Sequence, residues 1–282
     1  MSTADSADTV LVTGATGFIA LHVVDQLLAK GYSVIGTARS ESKYKPLLDE
    51  FTKEYPDGKL SYEIVTDIAV DDAFDEVLKK HPEIKYVLHT ASPFSFGLNQ
   101  DFKTAYLDPA VNGTVNILKA INLYGPQITN VVITSSFAAV KQSGNEFLTT
   151  VHTSEHWNPI KWEDVKEEHV AYAASKTYAE KAARKFVADN KVNFKLATVN
   201  PPFVWGPQLF ESSVKETLNT SNEGITSVLR LDKTLTTPLK QPLGLAVDVR
   251  DVAAFHILPL EVEQLAEQRQ FIVAGASGKV HS

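Results

Sequence analysis

Thr9-Val10-Leu11-Val12-Thr13-Gly14-Ala15-Thr16-Gly17-Phe18-Ile19-Ala20 runs from an apolar strand, through two glycines, into a helix whose pattern continues to about Lys30. This order of strand, glycines and helix decides the fold. The first glycine permits a tight turn, and the second lets backbone N–H groups approach a pyrophosphate at the helix N-terminus, where unpaired amides and the helix dipole favour an anion. Ala20 stands where a third glycine would ease the packing of helix on strand, a tolerable departure. The stretch predicts a dinucleotide site contacted by Gly14, Thr16, Gly17, Phe18 and Ile19.

A second strand near Tyr32 to Ala38 ends in Arg39-Ser40 rather than in an acidic residue. A carboxylate there would accept hydrogen bonds from a ribose diol but repel a 2′-phosphate, so Arg39 favours NADPH over NADH. Lys43 adds a second positive charge for the same phosphate, with Glu41 between them turned outward. Further along, apolar strands near Leu60 to Val65, Lys85 to His89, Asn130 to Thr134 and Phe194 to Val199 alternate with helical stretches near Asp71 to Lys80, Asp101 to Leu123 and Ala171 to Asp189. That βα rhythm predicts an α/β fold, a Rossmann-like doubly wound parallel sheet. After Phe203 the pattern is less regular, with helices expected over Ser212 to Asn219 and around Glu223 to Leu231. Val247 to Ala253 closes one segment and opens a helix, and Gln270 to Val273 reads as a last strand.

Polar residues gather where the strands end. Asp67 is placed to accept the adenine amino group, with Ile68 packing on the base, although Asp67 as a cap competes with that role. Ala91, Ser92 and Pro93 let the backbone pass close to the cofactor, while His89 reads as a core or strand-end histidine. Asn112 precedes Gly113 inside a long helix, an interruption that suggests structural work near the site. Ser136 closes the fifth strand, with Ser135 as its nearby competitor. Tyr172 and Lys176 lie one helical turn apart on a single face, so the ammonium favours the phenolate electrostatically and the phenol can deliver a proton to an oxygen that has just received a hydride. No histidine–carboxylate relay accompanies the serines, which makes hydrolase chemistry a poor rival.

Composition bounds the remaining possibilities. The 282 residues carry a net charge of −7, which gives no general electrostatic case for nucleic acid or an anionic membrane. There is no cysteine, hence no disulfide or thiolate chemistry, and the eight histidines show no convincing metal-ligand spacing. No apolar run suggests a membrane span or a secretory segment, so a cytoplasmic protein is the expectation.

These motifs together resemble the extended short-chain dehydrogenase/reductase family, particularly its dihydroflavonol-reductase-like branch and the fungal NADPH-dependent aldehyde and methylglyoxal reductases. Thr13 to Ala20, Val34 to Ser40, Leu88 to Pro93, Val131 to Ser136, Tyr172 with Lys176, and Asn200 to Pro207 carry the resemblance across nearly the whole chain. It implies NADPH-dependent reduction of an aldehyde, ketone or diketone. Ser136 would orient the substrate, Tyr172 would donate the proton, and Lys176 would lower the tyrosine pKa and hold the nicotinamide ribose. Pro201 and Phe203 would neighbour the nicotinamide, with backbone after Pro201 holding its carboxamide. Phe94, Phe137, Val165, Phe203 and Trp205 are candidates for an apolar substrate pocket, and of these Phe94, Phe137 and Phe203 lie near motif positions. Alcohol oxidation, sugar-nucleotide epimerisation and a catalytically impaired NADPH-binding regulator remain open alternatives.

The resemblance also sets the expected organisation. Residues 1–8 form a flexible leader, 9–200 the main NADP-binding domain, and 201–282 mainly a substrate lobe, with 243–255 and 269–274 returning to the main domain. Proteins of that branch continue well beyond a segment like Arg269 to Val273, so the lobe is expected to be C-terminally truncated, with a more open pocket or reduced stability. The partner is a small carbonyl compound, and the chain is expected to be a monomer or weak homodimer.

Overall fold

In the computed structural model β1 (Thr9–Thr13) is an inner strand of the main sheet, with every residue buried. The structure describes residues 8–92, 101–141, 152–214, 218–229 and 245–270. Around β1 run α1 (Phe18–Ala29), β2 (Ser33–Ala38), α2 (Glu41–Glu54), β3 (Leu60–Ile64), α3 (Asp75–Lys80), β4 (Ile84–His89), α4 (Asp108–Tyr124), β5 (Asn130–Thr134), α5 (Glu168–Asp189) and β6 (Lys195–Val199). The chain continues through β7 (Phe203–Trp205), α6 (Thr220–Leu229), β8 (Ala246–Asp248), α7 (Val249–Glu261) and β9 (Arg269–Gln270).

The main sheet has the order β3-β2-β1-β4-β5-β6-β9, and each of its pairings is parallel. Alternation along the strands sends Val10, Val12, Val34, Leu88, Val132 and Ala197 to a core shared with α1 and α7. Leu11, Ile35, Val87, Val131 and Leu196 face the opposite way, onto α3, α4 and α5. A parallel sheet covered on both faces needs such near-continuous apolar strands. The order reverses between β1 and β4, so a crevice opens beyond their C-terminal ends, where doubly wound sheets bind ligands. A smaller lobe carries the two-stranded parallel sheet β7-β8 together with α6.

Several expected boundaries shift for identifiable reasons. Asp8 is not part of a free leader: its carboxylate meets Lys85 Nζ at 2.7 Å and accepts from the Tyr86 hydroxyl at 3.0 Å, tying it to β4. The helix expected from Asp71 begins only at Asp75, after a turn in which Asp72 has a φ of 62°. The long helix expected from Asp101 is divided into a π-helical turn, Lys103–Leu107, and α4, with Pro109 in the first turn of α4, where a missing N–H costs least. Ser212 to Asn219 is not a helix where it is described. A single 3₁₀ turn, Glu211–Ser213, occupies its start, and the regular helix begins at Thr220. Of the last expected strand, Arg269–Gln270 supplies β9, and residues 271–273 lie outside the described residues. Among the described residues no helix is long and apolar enough to cross a membrane.

Candidate active site

The glycine turn follows β1 directly. Gly14 has a φ of +65°, and a Cβ there would lie 2.8 Å from Ala91 Cα, so the segment that follows β4 packs directly against the turn. Gly14 N–H donates to Thr37 Oγ1 at 3.1 Å and Ala15 N–H to the Thr37 carbonyl at 2.9 Å, fastening the turn to β2. Gly17 caps α1 without a side-chain hydrogen bond, and the first turn of that helix carries no acidic residue. The N–H groups opening α1 therefore face the crevice without a competing anion, the electrostatic setting that suits a pyrophosphate. Thr16, Phe18 and Ile19 are half-buried here, and the Phe18 ring meets His22 edge-on at 5.9 Å.

Arg39 and Lys43 are exposed at the end of β2 and the start of α2, and neither forms an ion pair with a described residue. Both cations are available to one phosphate. Asp67 is exposed after β3, and one of its oxygens accepts from Ala69 N–H at 2.9 Å, so the local turn takes part of its capacity. Ile68 lies against Gly113, where a Cβ would approach its Cδ1 to 2.6 Å, so the glycine inside α4 makes room for that side chain. Asn112 is exposed, whereas Asn116, one turn later and buried, donates to the Ile68 and Val70 carbonyls at 3.2 and 2.8 Å. The structural work expected of Asn112 thus falls to Asn116.

Ser136, Tyr172 and Lys176 come together at the mouth of the crevice. Ser136, at the end of β5, is 9% exposed, and its Oγ accepts from Ala138 N–H at 3.1 Å. The Ser136 side chain also lies close enough to the Tyr172 phenol to lower its pKa. Lys176 Nζ lies 3.2 Å from Ser92 Oγ and 3.4 Å from the Thr134 carbonyl. Burial pushes the ammonium down to about 8, against the raising influence of Glu180. Ser135, the other candidate serine, is committed elsewhere: its Oγ donates to Glu180 Oε2 at 2.5 Å.

The tyrosine departs from expectation in one respect. Burial holds the Tyr172 phenol above its ordinary value, opposed by the Ser136 hydrogen bond. The lowering expected from Lys176 does not prevail, because the ammonium turns toward β5 and Ser92 rather than toward the ring. Desolvation of a would-be phenolate is the larger effect. His89 is a strand-end core residue. It is 2% exposed, its Nδ1 lies 2.8 Å from Thr13 Oγ1, and burial holds it near 3, so it is neutral.

On the substrate side, Phe137 is buried with its ring edge-on to His152, and Phe203 is 51% exposed. Val165 packs with Ala105, Tyr106, Ala171 and Trp162 in a satellite cluster. The backbone hold expected after Pro201 has no donor to spare. Residue 202 is also proline, and Phe203 N–H already donates to the Leu245 carbonyl at 3.2 Å, while the Pro201 carbonyl accepts from Phe137 N–H at 2.9 Å. Pro93 and Phe94 lie outside the described residues.

Two groups at the site have no counterpart in the sequence reasoning. Glu180 and Arg269 form a buried ion pair beneath Lys176, and Asn200 bridges the Ser136 carbonyl and Glu180 Oε2, at 3.1 and 2.7 Å. The available signal was the four-residue spacing from Lys176 to Glu180, which puts an acid on the same buried helix face.

The model of the NAD dependent epimerase/dehydratase family matches residues 10–274. The crystal structure of Gre2 from Candida albicans in complex with NADPH superposes with a TM-score of 0.88 at 47% identity, covering 95% of this chain and 78% of that one. The NADPH-dependent methylglyoxal reductase of Saccharomyces cerevisiae is 43% identical over 269 residues, 93% of this chain and 77% of the relative. A ketoreductase of Aspergillus niger is 40% identical over 270 residues, 95% of this chain and 78% of the relative.

Proposed function

The chain belongs to the NAD-dependent epimerase/dehydratase family and is closely related to the fungal NADPH-dependent aldehyde and ketone reductases of the extended short-chain dehydrogenase/reductase superfamily; from that premise we propose that Ser136, Tyr172 and Lys176 carry an NADPH-dependent carbonyl reduction. The protein is an oxidoreductase that uses NADPH to reduce small aldehydes or ketones. The described residues fit the cofactor. The turn at Gly14 has no room for a Cβ, the α1 N-terminus has neither a side-chain cap nor an acid in its first turn, and Arg39 and Lys43 are unpaired cations at the end of β2. Gly14, Thr16, Gly17, Phe18 and Ile19 would hold the pyrophosphate, Arg39 and Lys43 the 2′-phosphate, and Asp67 with Ile68 the adenine. Ala91, Ser92, Pro201 and Phe203 would flank the nicotinamide half.

When bound, NADPH supplies the hydride. The observation that carries the residue assignment is that Ser136 lies close enough to Tyr172 to act on its phenol, with Lys176 one turn along the same helix. Ser136 Oγ accepts from Ala138 N–H, which leaves its hydroxyl proton to donate to a carbonyl oxygen and fix it beside the phenol. Tyr172 then gives its proton to that oxygen as negative charge develops on it. A phenol held above its ordinary value is protonated at neutral pH, the form that donates in a reduction. Oxidation of an alcohol would need the phenolate, the form that burial disfavours. Lys176 keeps a positive charge near the developing alkoxide and has donors to offer the ribose. Phe203 and the edge of Phe137 favour an apolar substituent on the carbonyl, as in a methyl ketone, a diketone or methylglyoxal.

Loss of NADPH absorbance against a panel of aldehydes, ketones and diketones tests the activity, and Tyr172→Phe tests the assignment. That variant should bind NADPH nearly as well as the parent protein and lose most turnover. Near-normal turnover in it would remove Tyr172 from the proton-donor role.

A further inference from the structure

We propose that Glu180 is a positioning residue for this reduction, fixing the peptide that carries Ser136 and opposing the loss of charge at Lys176. The proposal rests on the reading in which Ser136, Tyr172 and Lys176 perform the chemistry. Glu180 is 1% exposed on the sheet-facing side of α5, one turn beyond Lys176. A carboxylate at that depth persists only when it is paired and fully hydrogen-bonded. Both conditions are met. Oε2 accepts from Ser135 Oγ at 2.5 Å and Asn200 Nδ2 at 2.7 Å, and Oε1 from Arg269 Nε at 2.5 Å and Thr198 Oγ1 at 3.3 Å.

The donors come from the ends of three adjacent strands, β5, β6 and β9. Ser135 is the residue before Ser136, and Asn200 Nδ2 also reaches the Ser136 carbonyl at 3.1 Å. Two routes from Ser136 therefore end on one carboxylate oxygen. Ser135 N–H donates to the Val199 carbonyl and Phe137 N–H to the Pro201 carbonyl, so the backbone on either side of Ser136 is held by the same segment that Glu180 anchors. If the aim were stability alone, an apolar core would serve as well or better, because a buried ion pair often contributes no more than the hydrophobic groups that could replace it.

Charge supplies the second part of the role. Lys176 and Glu180 both line a small cavity of about 20 Å³, closed by His89, Ser92, Thr114, Thr134 and Ser135, with room for about one water. The ionisable groups on the elements around Lys176 are Glu180 and His89, which line the same cavity, and Tyr172 one turn earlier on its own helix, with Arg269 of β9 and Arg184 of α5 behind Glu180. Tyr172 and His89 are neutral near pH 7, and Glu180 is the anion whose attraction opposes the burial cost of the ammonium.

The experiment compares the pH profile of kcat, KM and the NADPH dissociation constant in the parent protein and four variants. In Glu180→Gln, kcat should fall about 10- to 100-fold with KM and NADPH affinity changed less than about threefold, the signature of misplaced reacting groups. The alkaline limb of kcat, expected near 8, should move to lower pH by on the order of one unit. Because that change strands the buried Arg269, the double variant Glu180→Gln/Arg269→Gln guards against a fold defect, and it should keep the downward shift. Ser135→Ala removes a donor without touching charge. It should lower kcat while leaving the alkaline limb in place. An unchanged kcat and limb in a folded double variant that binds NADPH would overturn the proposal. Tyr172→Phe is run alongside: full turnover there would overturn the underlying reading of the site, whereas loss there with an unchanged double variant would overturn the role of Glu180 alone.

Discussion

The two glycines of the first turn should respond differently to alanine, because one is constrained by backbone and the other by what it faces. Gly14 has a φ of +65°, a conformation that costs an L-residue roughly 1–2 kcal/mol. Its added Cβ would sit 2.8 Å from Ala91 Cα, 3.0 Å from Ala91 Cβ and 3.2 Å from Ala91 N, so the chain after β4 must move, an overpacking cost of roughly 1–3 kcal/mol. The sum, about 2–5 kcal/mol, corresponds to a fall in Tm of roughly 5–15 °C for a chain of this size. Gly17 has an ordinary φ of −81°, and its Cβ would meet only the Gly14 carbonyl oxygen, at 3.3 Å. Gly17→Ala should therefore cost less than about 1 kcal/mol in the ligand-free protein. Its methyl group would nevertheless stand where α1 offers its first N–H groups, so NADPH should bind at least about tenfold more weakly. Thermal unfolding without ligand and fluorescence titration with NADPH separate the two effects. An unchanged Tm in Gly14→Ala would refute the strain reasoning, and unchanged NADPH affinity in Gly17→Ala would refute the pyrophosphate placement.

Three further outcomes are expected. Arg39→Ala should weaken NADPH by about 10- to 100-fold, the worth of a charge-assisted hydrogen bond, and leave NADH nearly untouched, with equal losses on both counting against the 2′-phosphate contact. In the parent protein kcat for carbonyl reduction should decline as pH rises through about 8, where Lys176 loses its proton, and a flat rate from 7 to 9.5 under saturating substrate would contradict that role. His89 and His256 are buried and neutral, held near 3 and 4, while the unfolded chain takes up their protons from about 6.5 downward. Stability should thus be lost as pH falls below about 6.5, by roughly 1.4 kcal/mol per histidine per pH unit until each folded value is reached. Denaturant midpoints that stay constant from pH 6.5 to 4.5 would argue against this.

The inner strands of the sheet were legible in the sequence because each is a short, largely apolar run, and a parallel strand buried on both faces must be one. β5 matches its expected span at both ends, and β1 does as well. Helix starts were less legible. α3 begins only after a turn at Asp72, and α4 only after a π-helical turn that ends at Leu107, departures from regular helix that hydrophobic periodicity does not register. Within the site, neighbouring residues exchanged the tasks expected of them. Asn116 rather than Asn112 holds the segment after β3, since Asn116 is buried on the face of α4 that meets that segment and Asn112 is exposed.

What the sequence by itself determined were the quantities written in chain order: a glycine turn between a strand and a helix, a basic residue at the end of the second strand, and a Tyr-Lys pair at helical spacing. Each is a short-range pattern with its chemistry attached. The tertiary structure decided which serine turns toward the tyrosine, which direction the phenol pKa takes, and that a glutamate lies beneath the lysine. Those follow from residues such as Ser135, Glu180, Asn200 and Arg269, which are far apart in the chain and meet only where β5, β6 and β9 end against α5. Burial there makes desolvation outweigh the attraction that sequence spacing suggests, and burial is a property of the assembled sheet and helices rather than of any one segment.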